Sequence, residues 1–251
     1  MSKPTLLFLP GTLCDAVLFA PQMEHLGEFA RCVVGDVARY DTLANTTEAL
    51  LAQMPPRFAL AGLSYGGIVA LEIMRRAPER ITHLALLNTN PKPPSEETRQ
   101  RQQHFVAMAA RGEFREITTE YLKDAMLHPE HRRNLALRQQ VLAMAERVGT
   151  VGLLNQIKAQ LARPDSTPDL ARITCPTLVL TGREDALCPP ALHEEMARLI
   201  PNAHLLIVEN CGHLSTLEQP EIVTSALRDW LSGAGIWKTP TLQPTRLSEQ
   251  E

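Results

Sequence analysis

The chain has 251 residues, of which 44% are hydrophobic and 21% charged, so it can bury the core of one large domain and is not a disordered tail. Its formal net charge of −3 argues against a general nucleic-acid binder, because such proteins need a basic surface to displace phosphate counterions. No apolar run approaches the roughly 18 residues that cross a bilayer, and no signal sequence is recognisable. We therefore expect a soluble, cytoplasmic protein that binds neither nucleic acid nor membranes.

The cysteines predict neither a metal site nor a disulfide scaffold. There are five, an odd number, and no two of them form a C-x-x-C pair, which argues against a zinc ribbon and a thioredoxin-like site. We expect small buried thiols, and no metal or organic cofactor. The cysteines are Cys14, Cys32, Cys175, Cys188 and Cys211.

Short apolar runs alternate with longer helical patterns along most of the chain, which is typical of βα units and a mostly parallel sheet. The runs are dense in Leu, Val, Ile and Ala with few polar positions, as expected for strands buried on both faces. The predicted strands are 5–9, 31–34, 58–61, 83–87, 177–180 and 204–208. Helical patterns between and after them are 68–76, 191–199 and 222–231.

The segment 91–168 interrupts this alternation. Prolines punctuate both of its ends, and the pattern inside is helical throughout, with predicted helices at 96–110, 113–127, 130–148 and 150–162. The sequence therefore predicts an α/β core formed by 1–90 and 169–236, a four-helix insertion at 91–168, and a loose C-terminal tail at 237–251.

The strongest chemical motif is the run Gly62-Leu63-Ser64-Tyr65-Gly66. An apolar strand runs directly into it and a helical pattern runs directly out, which is the context that a nucleophile elbow requires. Such an elbow is too tight for side chains at the two glycines. It lifts the serine hydroxyl above the carboxyl edge of the sheet and directs a helix N-terminus at it. Ser64 is the predicted nucleophile; the alternative is a glycine-rich turn without chemistry.

A serine nucleophile needs a base, and one of the eight histidines is well placed for that role. His213 follows the last predicted strand and precedes the final helix, at the sheet edge where open α/β folds place catalytic groups. The base in turn needs an orienting carboxylate. Asp185, in the loop after the fifth strand, is the candidate, and Glu184 is the neighbouring alternative.

The oxyanion of the reaction needs two backbone donors. Tyr65, directly after the nucleophile, would supply one N–H. The second is expected from the loop after the first strand, where Gly11 permits the next N–H to point inward. Thr12 is therefore favoured, with Leu13 as the alternative.

These four elements, in the order Ser64, Asp185, His213 after an oxyanion loop, resemble the α/β-hydrolase superfamily up to about residue 236. Within it the chain is similar to small bacterial carboxylesterases, among them the pimeloyl-carrier-protein methyl ester esterases. The resemblance implies an α/β-hydrolase fold with a mostly parallel sheet and a helical cap. Two features depart from it: Pro10 stands where a histidine is common, and the usual N-terminal antiparallel hairpin is missing.

If the insertion covers Ser64, its apolar side chains are expected to line a substrate pocket. The same residues would otherwise pack one helix against another. In addition, 91–168 contains twelve Lys and Arg against nine Asp and Glu, an excess that could attract an acidic carrier protein or a carboxylated substrate. The candidate pocket residues are Leu13, Phe105, Met108, Phe114, Tyr121, Met126 and Met144.

The leading hypothesis from the sequence is a serine hydrolase that cleaves small carboxylic esters through an acyl-enzyme, with activity rising as His213 loses its proton. A second hypothesis keeps the triad but changes the bond to a carrier-protein ester, thioester, lactone or carbon–carbon bond. A third is a small-molecule receptor on a hydrolase scaffold, which would have no need of all three triad residues.

Overall fold

The computed structural model describes residues 3–124 and 126–233, with the backbone alone for 120–124. Six parallel strands form one sheet in the order β2-β1-β3-β4-β5-β6. The predicted fold class is confirmed, and every predicted strand is present with at most two residues added at an end. The strands are β1 (Thr5–Leu9), β2 (Arg31–Val34), β3 (Phe58–Leu63), β4 (Ile81–Leu87), β5 (Thr177–Gly182) and β6 (Ala203–Val208).

Helices connect the strands and cover both faces of the sheet, as parallel pairing requires. Short 3₁₀ turns occupy Ala16–Phe19, Pro78–Arg80, His131–Arg133 and Thr167–Arg172. The helices are α1 (Ala20–Leu26), α2 (Leu43–Gln53), α3 (Tyr65–Arg76), α4 (Glu96–Ala110), α5 (Phe114–Asp124), α6 (Leu135–Leu161), α7 (Pro190–Leu199), α8 (Ser215–Glu218) and α9 (Pro220–Ser232).

The sheet is buried on both faces because alternate side chains of each central strand enter two different cores. Leu6 and Phe8 of β1 join one apolar cluster, whereas Leu7 and Leu9 join the other. All residues of β1, β3 and β5 are buried. This two-sided burial explains why the strands are continuous apolar runs in the sequence.

The strand order reverses its direction at β1, whose neighbours are β2 and β3. Loops that leave the carboxyl ends of strands on either side of such a point diverge and leave a crevice, where ligands of α/β proteins bind. Leu9 at the end of β1 pairs with Gly62 near the end of β3. The loop after β1 and the turn after β3 therefore begin side by side.

The insertion between β4 and β5 contains α4, α5 and α6. Helix α4 has the predicted bounds, and Ser95 caps it by accepting the Thr98 N–H, as its position predicts. The predicted helix 130–148 begins later, at Leu135. Gly149 breaks α6 with φ 69° and ψ 178°, at the boundary predicted between the last two helices. The predicted tail, 237–251, lies outside the described residues.

The described part of the chain bears on two predictions from the sequence, one about membrane-spanning segments and one about the cysteines. No helix there combines the length and the apolar composition needed to cross a membrane. All five cysteines are free; Cys14, Cys188 and Cys211 are buried as predicted, whereas Cys32 and Cys175 are only partly buried.

Candidate active site

Ser64 lies between β3 and α3 in a backbone conformation that only a constrained turn maintains. Its φ of 57° and ψ of −116° are unfavourable for a residue with a side chain. A Cβ at Gly62 would overlap the backbone of Gly66, and a Cβ at Gly66 would overlap the carbonyl of Leu9. Thr89 Oγ donates to the Ser64 carbonyl at 2.7 Å. This sharp strand-to-helix turn is the elbow that the glycine spacing predicts.

The structure brings Ser64, His213 and Asp185 together in one chain of hydrogen bonds. His213 Nε2 lies 2.8 Å from Ser64 Oγ, and His213 Nδ1 lies 2.9 Å from Asp185 Oδ2. His213 is 1% exposed and Asp185 3%. With Nδ1 donating to the carboxylate, Nε2 is left with a lone pair directed at the serine hydroxyl. That is the tautomer in which a histidine can accept the serine proton.

The Asp185 carboxylate is held ionised by its surroundings. Burial alone would raise its pKa, but the neighbouring charge of His213 and its hydrogen bonds together keep the pKa below the ordinary value. The N–H groups of Leu187 and Cys188 donate to Oδ1 at 2.9 Å and 2.8 Å. Glu184, the alternative acid, accepts instead from the Cys211 N–H at 3.0 Å.

Asn88, directly after β4, is a site residue whose contacts the sequence did not predict. Its Nδ2 donates to Asp185 Oδ2 at 2.9 Å and to the Gly212 carbonyl at 3.2 Å, while its Oδ1 accepts from Ser215 Oγ at 2.6 Å. It thereby joins the acid loop to the histidine loop. Its position after a neighbouring parallel strand was a signal for this role, since the carboxyl ends of these strands meet at one edge.

The loop after β1 lies against Ser64, because a Cβ on Gly11 would come within 3.3 Å of the Ser64 Cβ. The Gln156 side chain accepts the Leu13 N–H at 3.0 Å, and Gln160 Nε2 donates to Thr12 Oγ at 3.1 Å. Two side chains of α6 therefore hold this loop by hydrogen bonds. The Pro10 side chain, which has no polar group, cannot provide such a bond. The Leu13 N–H is occupied, whereas the Thr12 N–H has no partner among the described residues.

The histidine loop is held from the insertion as well. Both the His213 and the Leu214 N–H groups donate to the Met126 carbonyl, at 3.0 Å and 3.2 Å. Glu218, whose side chain is fully buried, accepts the Gly212 and Leu214 N–H groups and the His128 N–H. The position of the His213 ring thus depends on contacts from two parts of the chain.

A cavity of about 80 Å³ opens beside Ser64 and His213. Its lining is mostly polar, and the apolar part of the lining comes from Ile68, Leu187 and Cys188. The polar side chains come from the loop after β4, from α4 and from the end of α6. They are Asn90, Thr98, Arg101, Gln102, Gln160 and Arg163.

The apolar residues expected to line a substrate pocket lie elsewhere. Leu13, Phe105, Met108 and Phe114 pack in a cluster with side chains of α5 and α6. Met126 and Met144 join one core of the sheet. None of these six is among the residues that line the cavity beside Ser64, because packing within these two clusters already uses their apolar surfaces. The side chain of Tyr121 lies outside the described residues.

Asp185, Cys188 and His213 are close enough to be considered as metal ligands, with one donor atom of each within 4.8 Å of the others. Burial raises the pKa of Cys188 well above its ordinary value, so it is a neutral thiol, whereas metals bind the thiolate. Asp185 and His213 are already engaged with each other. The donor set therefore suits a hydrogen-bond network better than a metal, and the absence of a metal cofactor stays a prediction.

His193 of α7 is fully buried behind the site, where its Nε2 accepts the Thr89 N–H at 3.0 Å. Burial lowers its pKa to about 4, so the folded state keeps it neutral while the unfolded chain binds a proton near the reference pKa of about 6.5. Stability is therefore lost as pH falls from about 6.5 to about 4.

We expect this group to contribute about 2 to 3 kcal/mol to the fall in unfolding free energy between pH 7.5 and 4.5. His193→Gln keeps an acceptor for the Thr89 N–H but cannot titrate, so its stability should decline by that much less. Denaturant unfolding at both pH values measures the difference. The exposed His25, changed to Gln, is the control; equal pH dependence of wild type and His193→Gln would contradict the prediction.

A model of the alpha/beta hydrolase family matches residues 6–226. This chain belongs to the alpha/beta hydrolase family. The resemblance predicted from the sequence is confirmed.

Several known proteins are similar to this chain over most of its length. A pimeloyl-[acyl-carrier protein] methyl ester esterase of Aromatoleum aromaticum is 28% identical over 214 residues, which cover 79% of this chain and 84% of that protein. The structure of a thermophilic esterase from Thermogutta terrifontis, with malate bound, has a TM-score of 0.83 and 28% identity, covering 92% and 91% of the two chains. The enol-lactonase from Burkholderia xenovorans LB400 shares the fold, with a TM-score of 0.82, 22% identity and 92% of each chain covered.

Proposed function

We propose that this alpha/beta hydrolase is a serine hydrolase that cleaves carboxylic esters through an acyl-enzyme. The observation that carries the proposal is the hydrogen-bonded chain from Ser64 Oγ through His213 to Asp185, with distances of 2.8 Å and 2.9 Å. The esterase names of similar proteins support the same reaction class.

In the first half of the proposed reaction, Ser64 Oγ attacks the ester carbonyl while its proton passes to His213 Nε2. Asp185 stabilises the resulting imidazolium. The Tyr65 N–H, at the start of α3, and the free Thr12 N–H would donate to the oxyanion of the tetrahedral intermediate. When the carbonyl re-forms, the bond to the alcohol oxygen breaks and His213 returns the proton to the leaving alcohol.

In the second half, His213 takes a proton from water, and the hydroxide so formed attacks the acyl carbon. The bond to Ser64 Oγ then breaks, His213 protonates that oxygen, and the carboxylic acid product leaves and loses its proton to water. Each half thus uses the same base and the same two backbone donors. The products are an alcohol and a carboxylate, and no electron transfer or cofactor is required.

We also propose that residues 91–168 form a cap over a core made of 1–90 and 169–236. Support comes from Gln102 of α4 and Gln160 of α6, which line the cavity that contains Ser64. Through Gln160 and Gln156, the proposed cap also holds the loop that carries Thr12. Movement of the cap would then alter both the cavity and one oxyanion donor.

A second candidate keeps these residues and changes the substrate to an ester on an acyl-carrier protein. The name of the Aromatoleum relative and the excess of basic residues in the proposed cap favour it. A carrier-protein methyl ester, a thioester, a lactone and a vinylogous diketone, assayed beside simple esters, distinguish the candidates. Hydrolysis of the carrier-protein ester with none of the free esters would favour the second candidate.

We expect short acyl chains to be preferred, because the cavity beside Ser64 is only about 80 Å³ and mostly polar. The catalytic efficiency kcat/KM for p-nitrophenyl acetate or butyrate should exceed that for the octanoate by about 10-fold or more. Initial rates of p-nitrophenolate release, corrected for the reaction without enzyme, give the profile. A profile that rises steadily to the octanoate would contradict this prediction.

A further inference from the structure

Arg163 is a buried cation for which the described residues supply no counter-charge. It lies two residues after the end of α6, is 9% exposed, and lines the cavity beside Ser64. Its Nε donates to the Lys92 carbonyl at 2.9 Å, and neither of its Nη atoms has a partner among the described residues. No Asp or Glu oxygen in the described part of the chain lies within 4.0 Å of it.

The other described residues that line the cavity add a second positive charge and no carboxylate. Arg101 of α4 is exposed at the same cavity and likewise has no acid partner among the described residues. No Asp or Glu occurs among the described residues that line the cavity. Cys188 lies nearby, but burial raises its pKa well above the ordinary value, so it does not neutralise Arg163. A chain with a net charge of −3 thus has a positively charged cavity at the proposed nucleophile.

An unpaired guanidinium in a buried position is costly, since it has lost much of its hydration without gaining a counter-ion. Burial accordingly lowers the pKa of Arg163, although a guanidinium stays charged at neutral pH. A bound anion would compensate for this loss. The planar fork of two Nη–H groups matches a carboxylate, which can accept both hydrogen bonds.

Gln102 lines the same cavity, and its buried Oε1 has no hydrogen-bond partner. A carbonyl oxygen accepts hydrogen bonds and does not bind a carboxylate, so the inference rests on the guanidinium groups. We propose that Arg163, assisted by Arg101, binds a carboxylate of the substrate, so that the preferred substrate is a small ester carrying a free carboxylate a few bonds from the scissile carbonyl. A cavity of about 80 Å³ favours such a compact anion over a bulkier phosphate ester.

This inference rests on the proposed ester hydrolysis, and two pairs of isosteric substrates test it in the wild-type protein. Monoethyl succinate is compared with ethyl 4-methylpentanoate, and O-acetylglycolate with isobutyl acetate; an isopropyl group replaces the carboxylate in each neutral partner. We expect kcat/KM to favour the anion by about 10- to 100-fold in at least one pair, as a charge-assisted bidentate contact provides. Equal or better hydrolysis of the neutral ester in both pairs would overturn the inference.

Variants then assign the preference to Arg163. Arg163→Met should reduce the anion-to-neutral ratio about 10-fold or more, with Arg163→Lys in between. Arg111→Met is the matched control, because it removes one exposed cap charge outside the cavity and should leave the ratio unchanged. If Arg163→Met lowers both rates equally and the ratio persists, Arg163 has only a structural role and the inference is wrong.

Binding without hydrolysis separates this inference from the proposed function. Monoethyl succinate is titrated calorimetrically into Ser64→Ala and into the double variant Ser64→Ala, Arg163→Met. Binding to the first and at least a 10-fold weaker affinity for the second supports the carboxylate site even if no ester is hydrolysed. Equal affinity for the two overturns it, even if neutral esters are hydrolysed efficiently.

Discussion

Ser64→Ala is expected to reduce kcat for p-nitrophenyl acetate by about 10⁴-fold or more, because alanine has no oxygen with which to form an acyl-enzyme. The Cβ stays, so the strained turn and the helix that follows are retained. The His213 ring loses only one hydrogen bond, the contact at 2.8 Å between Nε2 and the serine oxygen. Substrate binding should therefore persist while chemistry is lost, which appears as a change in kcat with little change in the dissociation constant.

The matched control is Ser225→Ala on α9, where the hydroxyl accepts from Arg228 at the surface. This variant should retain wild-type kcat. A fluorophosphonate reagent adds an independent measurement: peptide mass spectrometry should find the adduct on Ser64 in wild type and none at that position in Ser64→Ala. Unchanged turnover in a folded Ser64→Ala protein would reject the proposed mechanism.

Asp185→Asn is expected to lower kcat by about 10³- to 10⁴-fold and the free energy of unfolding by about 1 to 3 kcal/mol, because the new NH₂ group would face Asn88 Nδ2, which donates to Asp185 Oδ2 in the wild type. The amide has the same shape, but its NH₂ group can donate to His213 Nδ1 and so favour the tautomer whose Nε2 carries a proton. That nitrogen can then no longer accept the proton of Ser64. The two backbone N–H groups that donate to Asp185 Oδ1 can still be accepted by the amide oxygen.

Glu184→Gln is the matched control for this prediction, since it makes the same chemical change one residue away. Glu184 accepts the Cys211 N–H at 3.0 Å, and a glutamine oxygen can do the same. Its kcat should stay within about 3-fold of wild type. Steady-state kinetics and thermal unfolding of both variants provide the comparison. The reverse result, with Glu184→Gln inactive and Asp185→Asn active, would transfer the role of orienting acid to Glu184.

The strands and the elbow are readable from the sequence because local rules impose them. A strand buried on both faces must be a continuous apolar run, and the six runs are the six strands of the sheet. Positions 62 and 66 must be glycine, because a Cβ at either would overlap backbone atoms. These two glycines identify Ser64 as the residue at the turn between a strand and a helix. Asp185 and His213 then follow from the rule that functional loops of a parallel sheet share its carboxyl edge.

Other features depend on contacts between distant parts of the chain, which periodicity cannot encode. Asn88 meets Asp185 across 97 positions, and Gln156 meets Leu13 across 143. From the sequence, apolar residues of the insertion such as Phe105 and Met108 could equally well line a substrate pocket or pack between helices. The tertiary structure shows that they pack between helices.

The sequence alone thus determined the fold class, the family resemblance and the three residues proposed for the triad, because burial periodicity and tight-turn sterics act on neighbouring residues. The tertiary structure decided the chemistry of the cavity. Arg163 is one of several arginines in a basic helical segment, and nothing local distinguishes it from its solvated neighbours. Folding buries this guanidinium beside Ser64 without a counter-ion, and burial is what makes its charge specific for a ligand.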